Sequence, residues 1–459
     1  MKVLGSIVLS AVVLWAGPFE DTLATGRKAL ANDGVATAWR IAQKAVADAP
    51  DSAPAHEFAG EVLFRRGDFA QANEEFTNAA ELNRQLARAW WGLGRVAECA
   101  AMSRTAVDDY KRAYELDPKD PAIAAAWILR LHGKERDSAF QAYQAAAAGT
   151  AELKDLQQQI ELAKALDGRE IMALASPYRA SQIPLRSFVS DATHMRTYGL
   201  QVMVNGTAVN LVLDTGAAGI VLSQPAAERA GLARVAESTV QGIGDGAKPA
   251  ESYRAIAEHF RAGDVEYRNA LVNVTGQSLA GVEDGLIGAN VFSEFLITLD
   301  FGGGKLRLDP LPGYRAGELQ DRMDIPAMRN ATRAFRFGHV LLIPAKVNSH
   351  PGLFVLDTGA ARTLMSYDMA AEASNVNRDE RTGIRGLSGR VGDVYRTGTV
   401  MLEFGGFEQR NMGMTAIDTW MLSHRLGTEI SGFLGLPVLD FFTLTIDYRD
   451  GLVKFQRRL

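Results

Sequence analysis

The sequence predicts a multidomain fold, an all-α region of helical repeats followed by a mainly-β unit built from two matched lobes. Three observations carry that reading. Residues from about 22 to 148 are Ala-rich and recur with a period of 34, the mark of a stacked helical array. Hydrophobic spacing then changes from helical to alternating, as in Tyr198, Leu200, Val202 and Val204. Finally, the tripeptide Asp-Thr-Gly occurs twice, as Asp214-Thr215-Gly216 and Asp357-Thr358-Gly359, each closing an apolar run (Leu211-Val212-Leu213 and Phe354-Val355-Leu356).

At the N-terminus, Lys2 precedes a run from Val3 to Ala16 that is apolar apart from Ser6 and Ser10, and Ala16-Gly17 offers small residues for cleavage. Residues 1–17 are therefore expected to be a signal peptide. The run is short of the roughly 20 residues a spanning helix needs, and an uncleaved N-terminal membrane anchor is the alternative. No cysteine stands directly after it, which excludes a lipid anchor there. The expected location is exported, periplasmic or secreted. Cys99 is the sole cysteine, so neither an intramolecular disulfide nor a thiolate zinc cluster can form, and export without disulfides fits a bacterial envelope. The charge balance, 49 Lys and Arg against 54 Asp and Glu, gives no reason to expect nucleic acid or a polyanion.

Within the repeats, Ala45, Ala79 and Ala113 stand 34 apart, and Pro50 and Pro118 stand 68 apart. The middle copy carries Gly60, Gly67-Asp68-Phe69, Ala72, Phe76 and Ala79, and the next carries Trp90, Leu93, Gly94, Ala106, Tyr110, Ala113 and Pro118. These spacings resemble the tetratricopeptide repeat over residues 20–150, with departures at Ala42, where an aromatic is usual, and Arg84, where a proline is usual. A generic helical bundle is the alternative. A degenerate fourth pair from Pro121 to Ala148 is expected to cap the array. The resemblance implies a platform for a peptide or protein partner.

Residues 151–186 are expected to form a helical connector, with Leu153, Leu156, Ile160 and Ala163 at helical spacing, and then a linker from Ser176 to Arg186 containing Pro177 and Pro184. A boundary near Ser176 predicts that the repeats fold as an independent fragment. The first lobe is expected over 187–312 and the second over 323–459, with the break near Pro310 to Arg322, where Pro310, Pro312 and Gly313 interrupt the strands.

The lobes match well beyond the tripeptide. Val202-Met203-Val204-Asn205-Gly206 precedes the first Asp and Ala345-Lys346-Val347-Asn348-Ser349 the second, with the Asn nine residues upstream in each, as expected of a hairpin feeding the Asp loop. Downstream, Gly285-Leu286-Ile287-Gly288 answers Gly432-Phe433-Leu434-Gly435, and the tail Phe295 to Asp300 answers Phe442 to Asp447. Asp300 and Asp447 are read as strand ends, and Gly302-Gly303-Gly304 as a hairpin turn. Two carboxyl loops meeting across a pseudo-two-fold axis would share one proton, because neighbouring carboxylates cannot both ionise cheaply.

On these motifs, the stretch from about Thr197 to Leu459 resembles the aspartyl protease superfamily, and most closely its retropepsin-like bacterial branch. The resemblance implies a bilobal aspartic protease unit with Asp214 and Asp357 as catalytic dyad. Thr215, Gly216, Thr358 and Gly359 would support the dyad loop, and Leu286-Ile287-Gly288 and Phe433-Leu434-Gly435 would be the strands beneath it. Gly-rich stretches at Gly242, Ile243 and Gly244 and at Gly386, Leu387 and Ser388 occupy the place of substrate-holding flaps, each followed by Tyr-Arg (Tyr253-Arg254 and Tyr395-Arg396); ordinary exposed hairpins are the alternative. The expected function is an exported aspartic endopeptidase acting on a peptide or protein substrate, without cofactor or metal. Both triplets lie in one chain, so the protease unit is expected to be monomeric. A catalytically silent peptide-binding scaffold is the competing reading. Neither His-Glu-x-x-His nor Gly-x-Ser-x-Gly occurs, which disfavours zinc and serine hydrolases. Ala217 and Ala360 follow the triplets, where a hydroxyl would lower the dyad's pKa in pepsin-like enzymes, and the pH window of activity is expected to lie nearer neutrality.

Overall fold

The computed structural model describes residues 18–147, 151–166, 168–190, 195–240, 250–276, 284–312, 321, 325–386 and 389–458. The expected signal peptide lies outside them, and among the described residues no helix is long and apolar enough to cross a membrane.

The helical region holds nine helices among the described residues: α1 (Pro18–Ala31), α2 (Val35–Asp48), α3 (Ala53–Arg66), α4 (Phe69–Leu82), α5 (Ala87–Cys99), α6 (Ser103–Leu116), α7 (Pro121–Ile128), α8 (Gly133–Ala146) and α9 (Ala151–Ala165). First helices of successive pairs begin at 53, 87 and 121, and second helices at 35, 69 and 103, so the 34-residue period is a period of helix pairs. Local chemistry punctuates it. The Ser52 hydroxyl and Asp120 carboxylate accept the first free N–H groups of α3 and α7, and Gly67, at φ 83°, ends α3 in the left-handed region. The small residues have a packing reason: a Cβ on Gly60 or Gly92 would overlap the fully buried ring of Phe76, which lies between them.

Between the helices and the first lobe the structure departs from expectation. Leu156 and Ile160 of α9 pack with Ile128, Phe140 and Tyr143 of the fourth pair, so α9 covers the end of the array instead of connecting freely. The expected connector and linker contain strands. Ala173–Leu174 pairs with Val265–Thr275, and Ser181–Pro184 pairs with Lys305–Pro310. Proline hid the second of these from periodicity, yet Pro184 sits in an outermost strand, where proline is tolerated.

Each lobe is built around one threaded strand. Gly285–Ile287 runs parallel to Thr207–Leu213 and antiparallel to Ile220–Ser223. Gly432–Gly435 repeats this between His350–Asp357 and Leu364–Ser366. The hairpins feeding the Asp loops turn at Asn205-Gly206 (φ 47° and 82°) and Asn348-Ser349 (φ 46° and 72°), the twist-matched turn in which Asn is favoured. Both Asn side chains also accept a neighbouring strand's N–H, His259 for Asn205 and Met401 for Asn348. The matched tails meet in one six-stranded sheet, where Phe295–Asp300 pairs antiparallel with Phe442–Asp447. Equivalent residues Thr298 and Thr445 face each other there, hydroxyls 3.4 Å apart, which marks the pseudo-two-fold axis. Residues 301–304 form the hairpin turn, and Asp300 accepts the Gly303 N–H at 2.8 Å.

The repeats do not stand apart from the lobes. Leu63, Phe64, Phe69, Val96 and Cys99 share one buried cluster with Leu342, Leu353, Val355, Ile430 and Phe433 of the second lobe. Phe69 lies 4.4 Å from the ring of Phe335, centroid to centroid. Arg336 reaches from the second lobe to Ser103, and Asp321 accepts the N–H groups of Arg104 and Thr105 at the start of α6. This shared core counts against independent folding of the repeats.

Candidate active site

Asp214 and Asp357 stand at the same place in the two lobes, just past or at the end of strands Thr207–Leu213 and His350–Asp357. Their neighbours draw the two loops together. The Thr215 N–H donates to the Thr358 hydroxyl and the Thr358 N–H to the Thr215 hydroxyl, both at 3.0 Å. The hydroxyls in turn donate across the axis, Thr215 to the Leu356 carbonyl at 2.7 Å and Thr358 to the Leu213 carbonyl at 2.9 Å. Both threonines are almost fully buried, so every polar atom in this crossed set needs its partner.

The glycines admit the carboxyl groups. A Cβ on Gly359 would overlap the Asp214 carboxyl, and one on Gly216 would press on both, 3.1 Å from the Asp357 carboxyl carbon and 3.2 Å from Asp214 Oδ1. Asp214 Oδ1 accepts the Gly216 N–H and Asp357 Oδ1 the Ala360 N–H, each at 2.8 Å. Burial pushes both carboxyls above the ordinary carboxylate range, and the charge of Asp214 pushes Asp357 further. The supporting glycines are equally constrained: a Cβ on Gly288 would strike the Ala217 carbonyl, and one on Gly435 the carbonyls of Arg362 and Ala360. The hydrophobic-hydrophobic-Gly motif is thus a floor on which the Asp loop lies backbone to backbone.

For the flaps, strands Arg234–Val240 and Ala250–Ala262 form a hairpin with Val240 opposite Ala250, and its tip, with Gly242, Ile243 and Gly244, lies outside the described residues. In the second lobe Gly386 pairs with Gly389, while Leu387 and Ser388 lie outside them. Tyr253 lies under the Arg234 guanidinium and Tyr395 beside Tyr367.

Two groups near the dyad escaped sequence reasoning. His339, in the turn after Phe335–Phe337, interacts with the Gly216 backbone, and burial lowers its pKa. Tyr448 is buried, its hydroxyl has no hydrogen-bond partner among the described residues, and burial together with the charge of Asp214 pushes its pKa up. Phe301 holds the equivalent place in the first lobe, so a comparison of the tails one residue further would have singled Tyr448 out. Among the described residues no group of three or more His, Cys, Asp or Glu could hold a metal.

The family model described as aspartyl protease matches residues 200–291 and 343–438, one stretch in each lobe. No curated protein matches the sequence. Among solved structures, the aspartic proteinase from Irpex lacteus is 12% identical, with a TM-score of 0.37, covering 61% of this chain and 97% of that one. A mutant O-GlcNAc transferase from Thermobaculum terrenum is 17% identical, with a TM-score of 0.25, covering 29% of this chain and 28% of that one. The matched stretches span both Asp-Thr-Gly loops and both strands beneath them, so each of the two lobes is similar to the aspartyl protease family across its Asp loop and the floor below it.

Proposed function

We propose that this protein is an exported aspartic endopeptidase in which Asp214 and Asp357 act as one catalytic unit on a peptide or protein substrate. The observation that carries the proposal is the crossed threonine set, which holds two half-buried carboxyls from different lobes against each other. In such a pair one proton is shared, since double ionisation is costly. The ionised carboxyl takes a proton from a water as it attacks the scissile carbonyl, and the protonated one donates to the carbonyl oxygen. The roles then exchange to protonate the leaving amine. The N–H donors from Gly216 and Ala360 keep each carboxyl oriented through this exchange. Because both lobes come from one chain, no dimer is needed. Export, read from Lys2 and the apolar run after it, and capture of a protein partner on the helical repeats complete the proposal.

The test is cleavage of a diverse peptide pool by the wild type, by Asp214→Asn, by Asp357→Asn and by the double variant, with a pepstatin-type inhibitor alongside. Each single variant should lose nearly all activity while keeping its fold. The double variant should be scarcely worse, because the pair acts as a unit. Full activity in either single variant would overturn the dyad.

A further inference from the structure

The strands that carry and support Asp357 are held on their outer side by the repeats. The helical region reaches the second lobe through the end of α3. The Arg65 carbonyl accepts the Glu429 N–H at 2.7 Å, and the Phe64 carbonyl accepts the Thr428 hydroxyl at 3.0 Å. The Arg65 guanidinium donates to the Ser423 carbonyl, and at 2.8 Å to Asp33 in the turn between α1 and α2. This side chain is only 11% exposed, and Thr428 is fully buried. Ser423 itself secures the same segment: its hydroxyl accepts the Ile430 N–H at 3.0 Å, and its carbonyl the Thr428 N–H at 3.2 Å.

What this latch grips leads straight to the site. Thr428, Glu429 and Ile430 run into Gly432–Gly435, whose last residue lies opposite Asp357 in the parallel ladder. The partner strand is clasped too, since Leu353 and Val355 share one buried cluster with Leu63, Phe64 and Phe69. A Cβ on Gly67 would press on the Leu353 side chain. Both strands under Asp357 therefore rest on α3 and the turn that follows it, while among the described residues the threaded strand beside Asp214 has no such support from the repeats.

We infer that Arg65 is a positioning residue for the dyad, and that the repeats are a built-in part of the second lobe's catalytic floor. The inference rests on the proposed protease activity for its kinetic consequence, but not for its structural one. A misplacement of about 1 Å at a reacting group can cost about 100-fold in rate, and loosening the latch moves only one of the two carboxyls.

The full-length chain is used throughout. Arg65→Ala is expected to lower kcat by about 10- to 100-fold, with KM near the wild-type value, and to speed amide exchange at Gly432 to Gly435. Arg65→Lys keeps one of the two bonds and should restore part of both. Thr428→Val, which removes one buried hydrogen bond while conserving shape, should move both readouts in the same direction. Arg88→Ala, which breaks an ion pair with Asp120 inside the repeats, should leave both unchanged. Wild-type kcat and wild-type exchange in Arg65→Ala would overturn the inference. If Arg65→Ala does not fold, Thr428→Val decides by the same two readouts. If the wild type cleaves nothing, the protease reading fails, and exchange at Gly432 to Gly435 alone judges the latch.

Discussion

At the level of single residues, the dyad is a place where the fold keeps charge in a site that disfavours it. Asp214 and Asp357 are both shifted up, first by burial and, for Asp357, also by the charge of Asp214. A carboxyl whose folded pKa is raised contributes its full share of stability below its unfolded pKa, and that share is lost as pH rises through the folded value. The dyad therefore weakens the fold near neutral pH. Asp357→Asn removes the ionisation while keeping a side chain of similar shape. Its melting temperature is expected to exceed that of the wild type at pH 7, with the difference shrinking on acidification. Thermal melts across that range check it; a variant less stable at pH 7, or a gap independent of pH, would contradict the assignment. The same upward shifts agree in direction with the window nearer neutrality expected from Ala217 and Ala360.

At the level of elements, the threaded strand beneath each Asp loop leaves no room for a side chain at its last glycine. Gly435 faces the carbonyls of Arg362 and Ala360, and both belong to the loop that Asp357 opens. A methyl group there must push backbone, not a pliable side chain. Gly435→Ala should therefore destabilise the second lobe by about 1–3 kcal/mol and depress kcat together with stability. Gly206→Ala offers the contrast: a Cβ there meets open space, so its cost is backbone strain at φ 82° alone. Urea unfolding of the two variants, each paired with peptide cleavage, separates them. Loss of activity is expected only for Gly435→Ala.

For the molecule as a whole, the buried cluster shared by α3, α4, α5 and the second lobe makes the two regions one packed body at that seam. Cutting the chain near Ser176 would expose Leu63, Phe64, Phe69 and Val96 together, along with the outer strands at Ala173–Leu174 and the partners they leave behind. An exposed apolar patch of this kind promotes association. The fragment of residues 20–176 is expected to be helical by circular dichroism yet to self-associate and melt with little cooperativity. A monomeric fragment with a sharp melt would show that the seam is dispensable. Activity of the intact chain should scale linearly on dilution, since both carboxyls travel in one polypeptide.

The sequence by itself determined whatever repeats. The 34-residue period became helix pairs at the same spacing. The doubled Asp-Thr-Gly became two loops tied by reciprocal threonine bonds, and the paired Asn turns adopted the left-handed backbone their composition implied. These features are local, or they compare one half of the unit with the other, and a single chain carries both halves of that comparison. What only the tertiary structure decided has no internal copy. The strand at Ser181–Pro184 was masked by proline and is made a strand by the edge it joins. Arg65 reads as one more arginine at a helix end until Asp33 and Ser423 are brought to it. His339 approaches the dyad from a turn whose own residues announce nothing. Contacts between segments hundreds of residues apart depend on how whole sheets and helices pack, and no spacing along the chain encodes them.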